Sequence, residues 1–446
     1  MRLERHPRVR PRRLDRLDPP SAVREIVARL ERAGFETWCV GGAVRDAMLD
    51  IEHLDWDLAT AATPAEVQRV FRRTVPVGLE FGTVGVLDAA NTLHEVTTFR
   101  HDVRTDGRHA VVEFGASLEE DLARRDFTIN AMAWHPQRDE LRDPFEGRMD
   151  LERGVVRAVG LADSRMREDR LRALRAIRFA SRFSFHIEPA TWRAVVESAP
   201  FLDRLSPERV RQELEKTMDQ VQRPSIALEW WRECGALRTL VPSLAAAPPE
   251  RFGALDWLAR ASGESGDPRG ATLNRLAMLF FGDHERAAAE ATRALRFSNA
   301  DSAWIARLAG ARHDLAAHLD ATLAESPGIG PDASVDDVLI RRAIARVGRT
   351  RAEAFFQLNV ALWSARAGRP VGEAVASRAA AIAFRDPVEL ADLAVDGDDL
   401  RAVGIPSGPV LGRVLQALLD AVHADPARNT VATLLDLARL RAREGE

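Results

Sequence analysis

Cys39-Val40-Gly41-Gly42-Ala43-Val44-Arg45-Asp46 is followed nine residues later by Asp55-Trp56-Asp57. The apolar run Trp38 to Val40 predicts a strand that ends in a Gly-Gly turn, and Ala43 to Leu49 predicts a helix opening from that turn. Backbone N–H groups at such a turn, with no side chain in the way, form a natural seat for a phosphate. Asp55 and Asp57 are two apart, so on a strand both point to one face while Trp56 points to the other. Paired carboxylates beside a phosphate seat are hard oxygen ligands of the kind that suits Mg²⁺. Together they predict a two-metal site for nucleotidyl transfer. Alone, a Gly-Gly turn is more often plain structure, and a lone Asp-x-Asp is more often a solvated strand edge. It is the joint spacing, with Arg45 one turn into the helix, that makes the chemical reading specific.

Gly-Gly-x-Val-Arg-Asp followed by Asp-Trp-Asp resembles the head signature of the bacterial tRNA nucleotidyltransferase and poly(A) polymerase family, the class II CCA-adding enzymes. One departure stands at Asp50, where the family often has glycine; the expected effect is on the turn rather than the chemistry. The resemblance implies an α+β fold: a small N-terminal nucleotidyltransferase palm with a mixed or antiparallel sheet and helices, then an all-helical neck, body and tail. It extends from the head through the neck to Leu393-Ala-Val-Asp-Gly-Asp-Asp-Leu400 and Gly404 to Gly412, and is weakest over residues 240–380.

Composition is consistent with this. At 446 residues the chain is too long for one core. No run approaches the ~20 apolar residues needed to span a bilayer, and the Arg-rich N-terminus lacks the apolar segment of a secretory signal. The two cysteines, Cys39 and Cys234, are far apart and read as buried free thiols of a cytoplasmic protein. A net charge of −4 argues against nucleic-acid binding over the whole surface. Basic density is local, at Arg2–Arg16 and Arg170–Arg182. Of the 63 lysine and arginine residues only Lys216 is a lysine, and tyrosine is absent, so any base stacking falls to Phe and Trp.

Along the chain, residues 1–21 read as a flexible basic arm and 22–150 as the head, with a helix at Val23–Ala33. Strands are expected at Trp38–Val40, Leu54–Ala59, Thr83–Leu87, His94–Phe99 and Val111–Phe114. After Gly154 the pattern is helical: neck 151–225, body 226–335 and a tRNA-binding tail 336–446. Ser206-Pro207-Glu208 carries the N-cap, first-turn proline and acid of a helix start.

Further candidates follow from these elements. Glu95, on the His94–Phe99 strand, is a third acid that could complete metal coordination or accept a 3′-hydroxyl proton; the alternative is a strand-edge glutamate facing water. His101–His109 reads as a charged, glycine-containing mobile loop, which the resemblance links to addition of a terminal A. Arg124-Arg-Asp-Phe-Thr-Ile-Asn-Ala131 resembles the second family motif. In it Arg125 offers a planar fork to triphosphate oxygens, and Asp126 can accept from a ribose 2′-hydroxyl.

Glu168 to Phe183 reads as one helix, on which Asp169 and Arg172 are i,i+3 neighbours. An acceptor beside a fork of donors matches the exocyclic amine and ring acceptor shared by cytosine and adenine, and rejects the carbonyl of uracil and guanine. The pair matches the family's Glu-Asp-x-x-Arg motif, in which protein side chains act as template. Arg175 and Arg178 lie further along the same helix, within reach of triphosphate or ribose. Glu208, Arg209 and Glu213 read as ion pairs that stabilise their own helix. His313-Asp314 suggests a metal phosphohydrolase, but the further histidines are missing at usable spacing, and this is rejected.

The expectation is a Mg²⁺-dependent transferase adding C, C and A to tRNA from CTP and ATP. Asp55 and Asp57 hold metal with Glu95 beside them, and Gly42, Arg45 and Arg125 cradle the triphosphate. The helical body and tail grip the acceptor–TΨC arm, and no feature points to an obligate protein partner. The rivals are an A-adding-only enzyme, then a poly(A) polymerase. From another class comes a non-catalytic tRNA-binding protein on the same scaffold, which would be expected to lose a metal carboxylate or the base-reading pair.

Overall fold

The computed structural model describes residues 17–51, 56–105, 110–261, 268–324 and 335–444. Asp55, the whole Arg2–Arg16 stretch and residues 106–109 of the expected loop lie outside the described residues. The chain divides into two compact units, one of Met1–Val221 with Ile226–Pro242, the other of Gln222–Ser225 with Ser243–Glu446. The expected head and nearly all of the neck fall in the first unit, the expected tail falls in the second, and the expected body is split between them at Pro242.

In the first unit, helix α1 (Ser21–Arg32) buries Val23, Ile26, Val27 and Leu30, the one-sided stripe of an amphipathic helix. Strand β1 (Thr37–Val40) is buried throughout, as befits a strand interior to its sheet. Helix α2 (Gly42–Met48) follows at once. Strands β2 (Leu58–Thr60), β3 (Thr74–Gly78), β4 (Thr83–Leu87) and β5 (Leu93–Thr98) come next, with helix α3 (Pro64–Val70) between β2 and β3. Strands β6 (Arg100–Thr105) and β7 (Ala110–Phe114), helix α4 (Leu118–Ala123), and strands β8 (Ala133–His135) and β9 (Glu140–Arg142) complete the head. The seven-stranded sheet runs β3-β4-β5-β2-β1-β8-β9. Only β2–β5 is parallel, so the sheet is mixed. One face packs Trp38, Val40 and Ala59 against Leu118 and Leu122 of α4.

Several expectations are corrected. Within the expected strand Leu54–Ala59, the described ladder begins only at Leu58. The expected loop His101–His109 is in part an antiparallel ribbon of β6 and β7, a separate two-stranded sheet. Its Val103, Thr105, Val111 and Val112 are β-branched residues that favour strand over loop. Strands β3, β8 and β9 carry no alternation long enough to read from sequence. Asp50 takes a left-handed φ of 58°, the conformation that glycine adopts without strain, so this departure does sit in a turn.

Helices α5 (Gly147–Arg153), α6 (Ala162–Glu168), α7 (Leu171–Phe183), α8 (Pro189–Ser198) and α9 (Pro207–Gln220) follow in the same unit. Glu168–Phe183 is thus two helices, with the break at Asp169–Arg170. Asp169 is extended (φ −148°, ψ 105°), and its Oδ1 accepts from Leu171 N at 3.0 Å. A short acidic side chain capturing a backbone N–H two residues on is a standard way of ending one helix and opening the next.

The second unit is all helical among its described residues and includes the 26-residue helix Asn299–Ala324. Near its C-terminus Leu400, Leu418, Val422 and Leu434 form a buried core, and Asp396 caps the helix Gly397–Ala402 through two backbone N–H groups. His313 lies against His284 with ring centroids 3.7 Å apart and planes tilted by 45°, and Asp314 pairs with Arg346. No helix of the described residues is long and apolar enough to cross a membrane.

Candidate active site

One cleft of about 460 Å³ gathers most of the residues singled out above. Gly41 and Gly42 reach it from the β1–α2 turn and Asp57 from the start of β2. Arg125 and Asp126 follow α4, and Asp169, Arg172, Arg175 and Arg178 come from the α6–α7 break and α7. Its lining holds eight cationic side chains against three carboxylates, an imbalance that favours a polyanion.

The turn is pinned by Gly41 N–H donating to Met132 O at 3.2 Å. Gly41 has φ +75°, and a Cβ there would stand 2.7 Å from Arg125 Nη1. Glycine is therefore required by the backbone conformation, and a side chain there would also push the end of the Arg125 guanidinium aside. Arg125 Nη2 is anchored on Asp121 Oδ2 at 3.0 Å, while its buried Nε has no hydrogen-bond partner among the described residues. Arg124 binds the other oxygen of Asp121. Burial would raise the Asp121 carboxyl, but Arg125 and Arg124 hold it below the usual range.

Arg45 differs from expectation. It is 3% exposed, its Nε donates to Asp46 Oδ1 at 2.7 Å, and its Nη1 donates to Asn130 Oδ1. The guanidinium lies 4.9 Å from the ring centroids of both Phe179 and Phe183. Burial pulls it down to about 10, against the opposing pull of Asp46. Asp46, fully buried, also accepts from Arg182 Nη2 at 3.2 Å. Arg45 thus ties α2 to α7 rather than standing open as a triphosphate clamp.

Asp126 is committed as well. Its Oδ1 accepts from Phe127 N (2.8 Å) and Asn130 Nδ2 (2.9 Å), and its Oδ2 from Arg175 Nε (2.8 Å), with Arg175 Nη2 at 2.7 Å. Burial would raise this carboxyl, but Arg175, Asn130 and Arg172 together bring it down to about 2. With protein donors on both oxygens, Asp126 positions Arg175; the expected role as a free ribose acceptor gives way to this one.

Asp169 and Arg172 both line the cleft, although they do not share a helix. Asp169 Oδ2 accepts from Arg209 Nη2 at 2.7 Å, so each of its oxygens holds one protein donor and keeps a lone pair. Arg172 donates to Glu168 Oε2 (2.8 Å), Arg165 O (3.1 Å) and Arg124 O (2.9 Å), which fixes its fork and leaves N–H groups to spare. Arg178 binds Glu213 Oε1 at 2.5 Å and Gln220 Oε1 at 2.9 Å, with its ring neighbour Phe179 4.4 Å below. Arg209 and Glu213 therefore join α9 to Asp169 and to α7.

Glu95 is half-buried on β5. The parallel register pairs Leu58 with Val96, and the β1 ladder continues through Val40 N–H to Asp57 O (3.0 Å). One step back along both strands, Asp57 and Glu95 fall on the same face. Asp57 is an oxygen donor on a cleft that, among the described residues, is lined by no imidazole or thiol, a donor set that fits a hard divalent cation. The residues that sequence reading passed over are Asn130, Arg182 and Gln220 in the lining, and Asp46 and Asp121 behind it. Asn130 and Arg182 stood inside quoted motifs; Gln220 carried no signal.

Residues 37–157 match the family model of the poly(A) polymerase head domain, and residues 184–247 match that of the probable RNA- and SrmB-binding site of polymerase A. The chain is 46% identical over 199 residues to a CCA-adding enzyme of Lactiplantibacillus plantarum, covering 44% of this chain and 48% of that protein. It is 49% identical over 195 residues to a CCA-adding enzyme of Leuconostoc mesenteroides, covering 43% and 48%. The match thus spans about half the length of these curated relatives. The crystal structure of the Bacillus stearothermophilus CCA-adding enzyme in complex with CTP superposes with a TM-score of 0.72 at 30% identity, over 95% of this chain and 98% of that one.

Proposed function

Because the chain belongs to the tRNA nucleotidyltransferase and poly(A) polymerase family, we propose that it adds CCA to the 3′ end of tRNA from CTP and ATP, without a nucleic-acid template. The single observation that carries this reading is the cleft in which Gly41, Gly42 and Asp57 of the head face Asp169 and Arg172 of the α6–α7 break.

Asp55 and Asp57, with Glu95 on the same face as Asp57, would hold Mg²⁺, which when bound acidifies the primer 3′-hydroxyl and neutralises the leaving pyrophosphate. Arg125, anchored on Asp121 through Nη2, presents its Nη1 to the triphosphate, while Gly41 and Gly42 leave room for the close approach. Asp169 accepts from the exocyclic amine of C or A, and Arg172 donates to the adjacent ring acceptor. A carbonyl in place of the amine would face the Asp169 carboxylate with no proton between them, a mismatch worth on the order of a few kcal/mol. Arg175 and Arg178, fixed by Asp126 and Glu213, also line the cleft. RNA is held through phosphates and 2′-hydroxyls, since an A-form helix hides its base edges, and its affinity should fall steeply with salt. Both thiols are buried and unpaired, in keeping with work in the cytoplasm.

The test uses a tRNA transcript ending at the discriminator base and one ending in CC, with Mg²⁺ and CTP, ATP or both. Two additions with CTP, and a third only when ATP is present, are expected. One A added only to the CC-ended tRNA would assign A addition alone. Long A tails on arbitrary RNA would assign a poly(A) polymerase, and no addition at all would assign a non-catalytic tRNA-binding scaffold.

A further inference from the structure

The arginines of the cleft come already paired. Arg124 and Arg125 share Asp121, Arg172 has Glu168, Arg175 has Asp126, Arg178 has Glu213, and Arg45 and Arg182 share Asp46. Lys216 on α9 also lines the cleft, and among the described residues it has no carboxylate partner. Glu213, one turn earlier on the same helix, is committed to Arg178. Lys216 is also the one lysine among the chain's 63 lysine and arginine residues.

We propose that Lys216 binds the phosphate chain of the incoming nucleoside triphosphate. This deepens the nucleotidyl-transfer reading and rests on it. A cation that lines a cleft with no carboxylate in ion-pair contact, and whose nearest negative charge, Glu213, is already bound to Arg178, is completed by an anionic ligand, and the triphosphate is the densest anion this reaction brings there. The compact ammonium, with three rotatable donors, suits a site crowded by guanidinium groups, where a planar fork would need more room. Burial pushes the Lys216 ammonium down, Glu213 opposes this, and Arg178 and Arg175 add to the push. An entering phosphate supplies the missing counter-charge.

The test is equilibrium binding of CTP, tripolyphosphate and cytidine, with Mg²⁺ present, to the full chain and to Lys216→Gln and Lys216→Arg, with tRNA affinity measured in parallel. Lys216→Gln should weaken CTP and tripolyphosphate about tenfold, the size of one lost charge-assisted contact. Cytidine, which has no phosphate, should bind the variant as it binds the original protein, and this also certifies an intact cleft. Lys216→Arg should fall between the two. CTP binding unchanged in Lys216→Gln, equal losses for CTP and cytidine, or equal weakness of both variants would each overturn the proposal. A loss confined to tRNA would overturn it in favour of an RNA backbone phosphate. If the original protein bound no CTP at all, the nucleotidyl-transfer reading would fall, and this assignment with it.

Discussion

Replacing Asp126 by Asn removes one charge while nearly preserving shape, and the consequence can be worked out from its surroundings. Asn Oδ1 can still accept from Phe127 N and from Asn130, but an amide would then face Arg175, whose Nε and Nη2 now sit 2.8 and 2.7 Å from Asp126 Oδ2. Breaking a buried ion pair from one side costs about 3–5 kcal/mol. Part of that has a pH signature. The carboxyl is held at about 2 against an ordinary 3.8, a difference equivalent to about 2 kcal/mol. Because the folded state lowers this value, the stabilisation is fully present above about pH 4–5 and is lost as pH falls towards 2. The gap between the original protein and Asp126→Asn should therefore shrink by about 1 kcal/mol between pH 7 and pH 3.

With two units in the chain, a global melt would mix their transitions. Hydrogen exchange in a urea series, read on peptides from Leu171–Phe183, reports the relevant opening directly. Adding Arg175→Met to Asp126→Asn should recover much of the loss, because the stranded guanidinium is then gone. A gap under about 1 kcal/mol, a gap that does not change with pH, or no recovery in the double variant would refute the argument that Asp126 acts by holding Arg175.

Gly41→Ala should lower stability by about 1–2 kcal/mol from the left-handed φ alone, and should also weaken CTP binding by displacing Arg125; a thermal melt and a CTP titration check both. Asp46→Asn strands the buried Arg45 and should cost about 3–5 kcal/mol, measurable by urea unfolding; a near-neutral result would show that the link between α2 and α7 does not bear on folding. Asp57→Asn should abolish nucleotide incorporation while leaving tRNA affinity intact, checked by single-nucleotide product gels beside a filter-binding assay.

What the sequence disclosed was the lining of the cleft; what it hid was the support. Gly41, Asp57, Arg125, Asp126, Asp169 and Arg172 sit in short motifs whose residue types imply chemistry directly. Their partners are set by tertiary approach. Glu213 lies 35 residues from Arg178, and Asp46 lies 136 residues from Arg182, so no local periodicity couples them. The α6–α7 break failed for a related reason. Leu171, Leu174 and Ile177 do keep helical spacing, but Asp169 captures the Leu171 N–H and ends the first helix, a side-chain–backbone bond that spacing does not register. The strands missed, β3, β8 and β9, are short and are positioned by their neighbours rather than by alternation of their own.

The hidden half has a mechanistic meaning. A protein that selects a base with its own side chains must hold donor and acceptor fixed before the nucleotide arrives, since a fork free to swing would accommodate a carbonyl as readily as an amine. Arg172 is fixed by two backbone carbonyls and Glu168, and Asp169 by Arg209 and the Leu171 N–H. Those tethers come from α4, α6, α7 and α9, so on the proposed reading the choice of base would rest on their packing and not on two residues alone. Loosening a tether that never touches the nucleotide, such as Arg209, should therefore erode the choice of C and A over U and G more than it slows the addition of C itself.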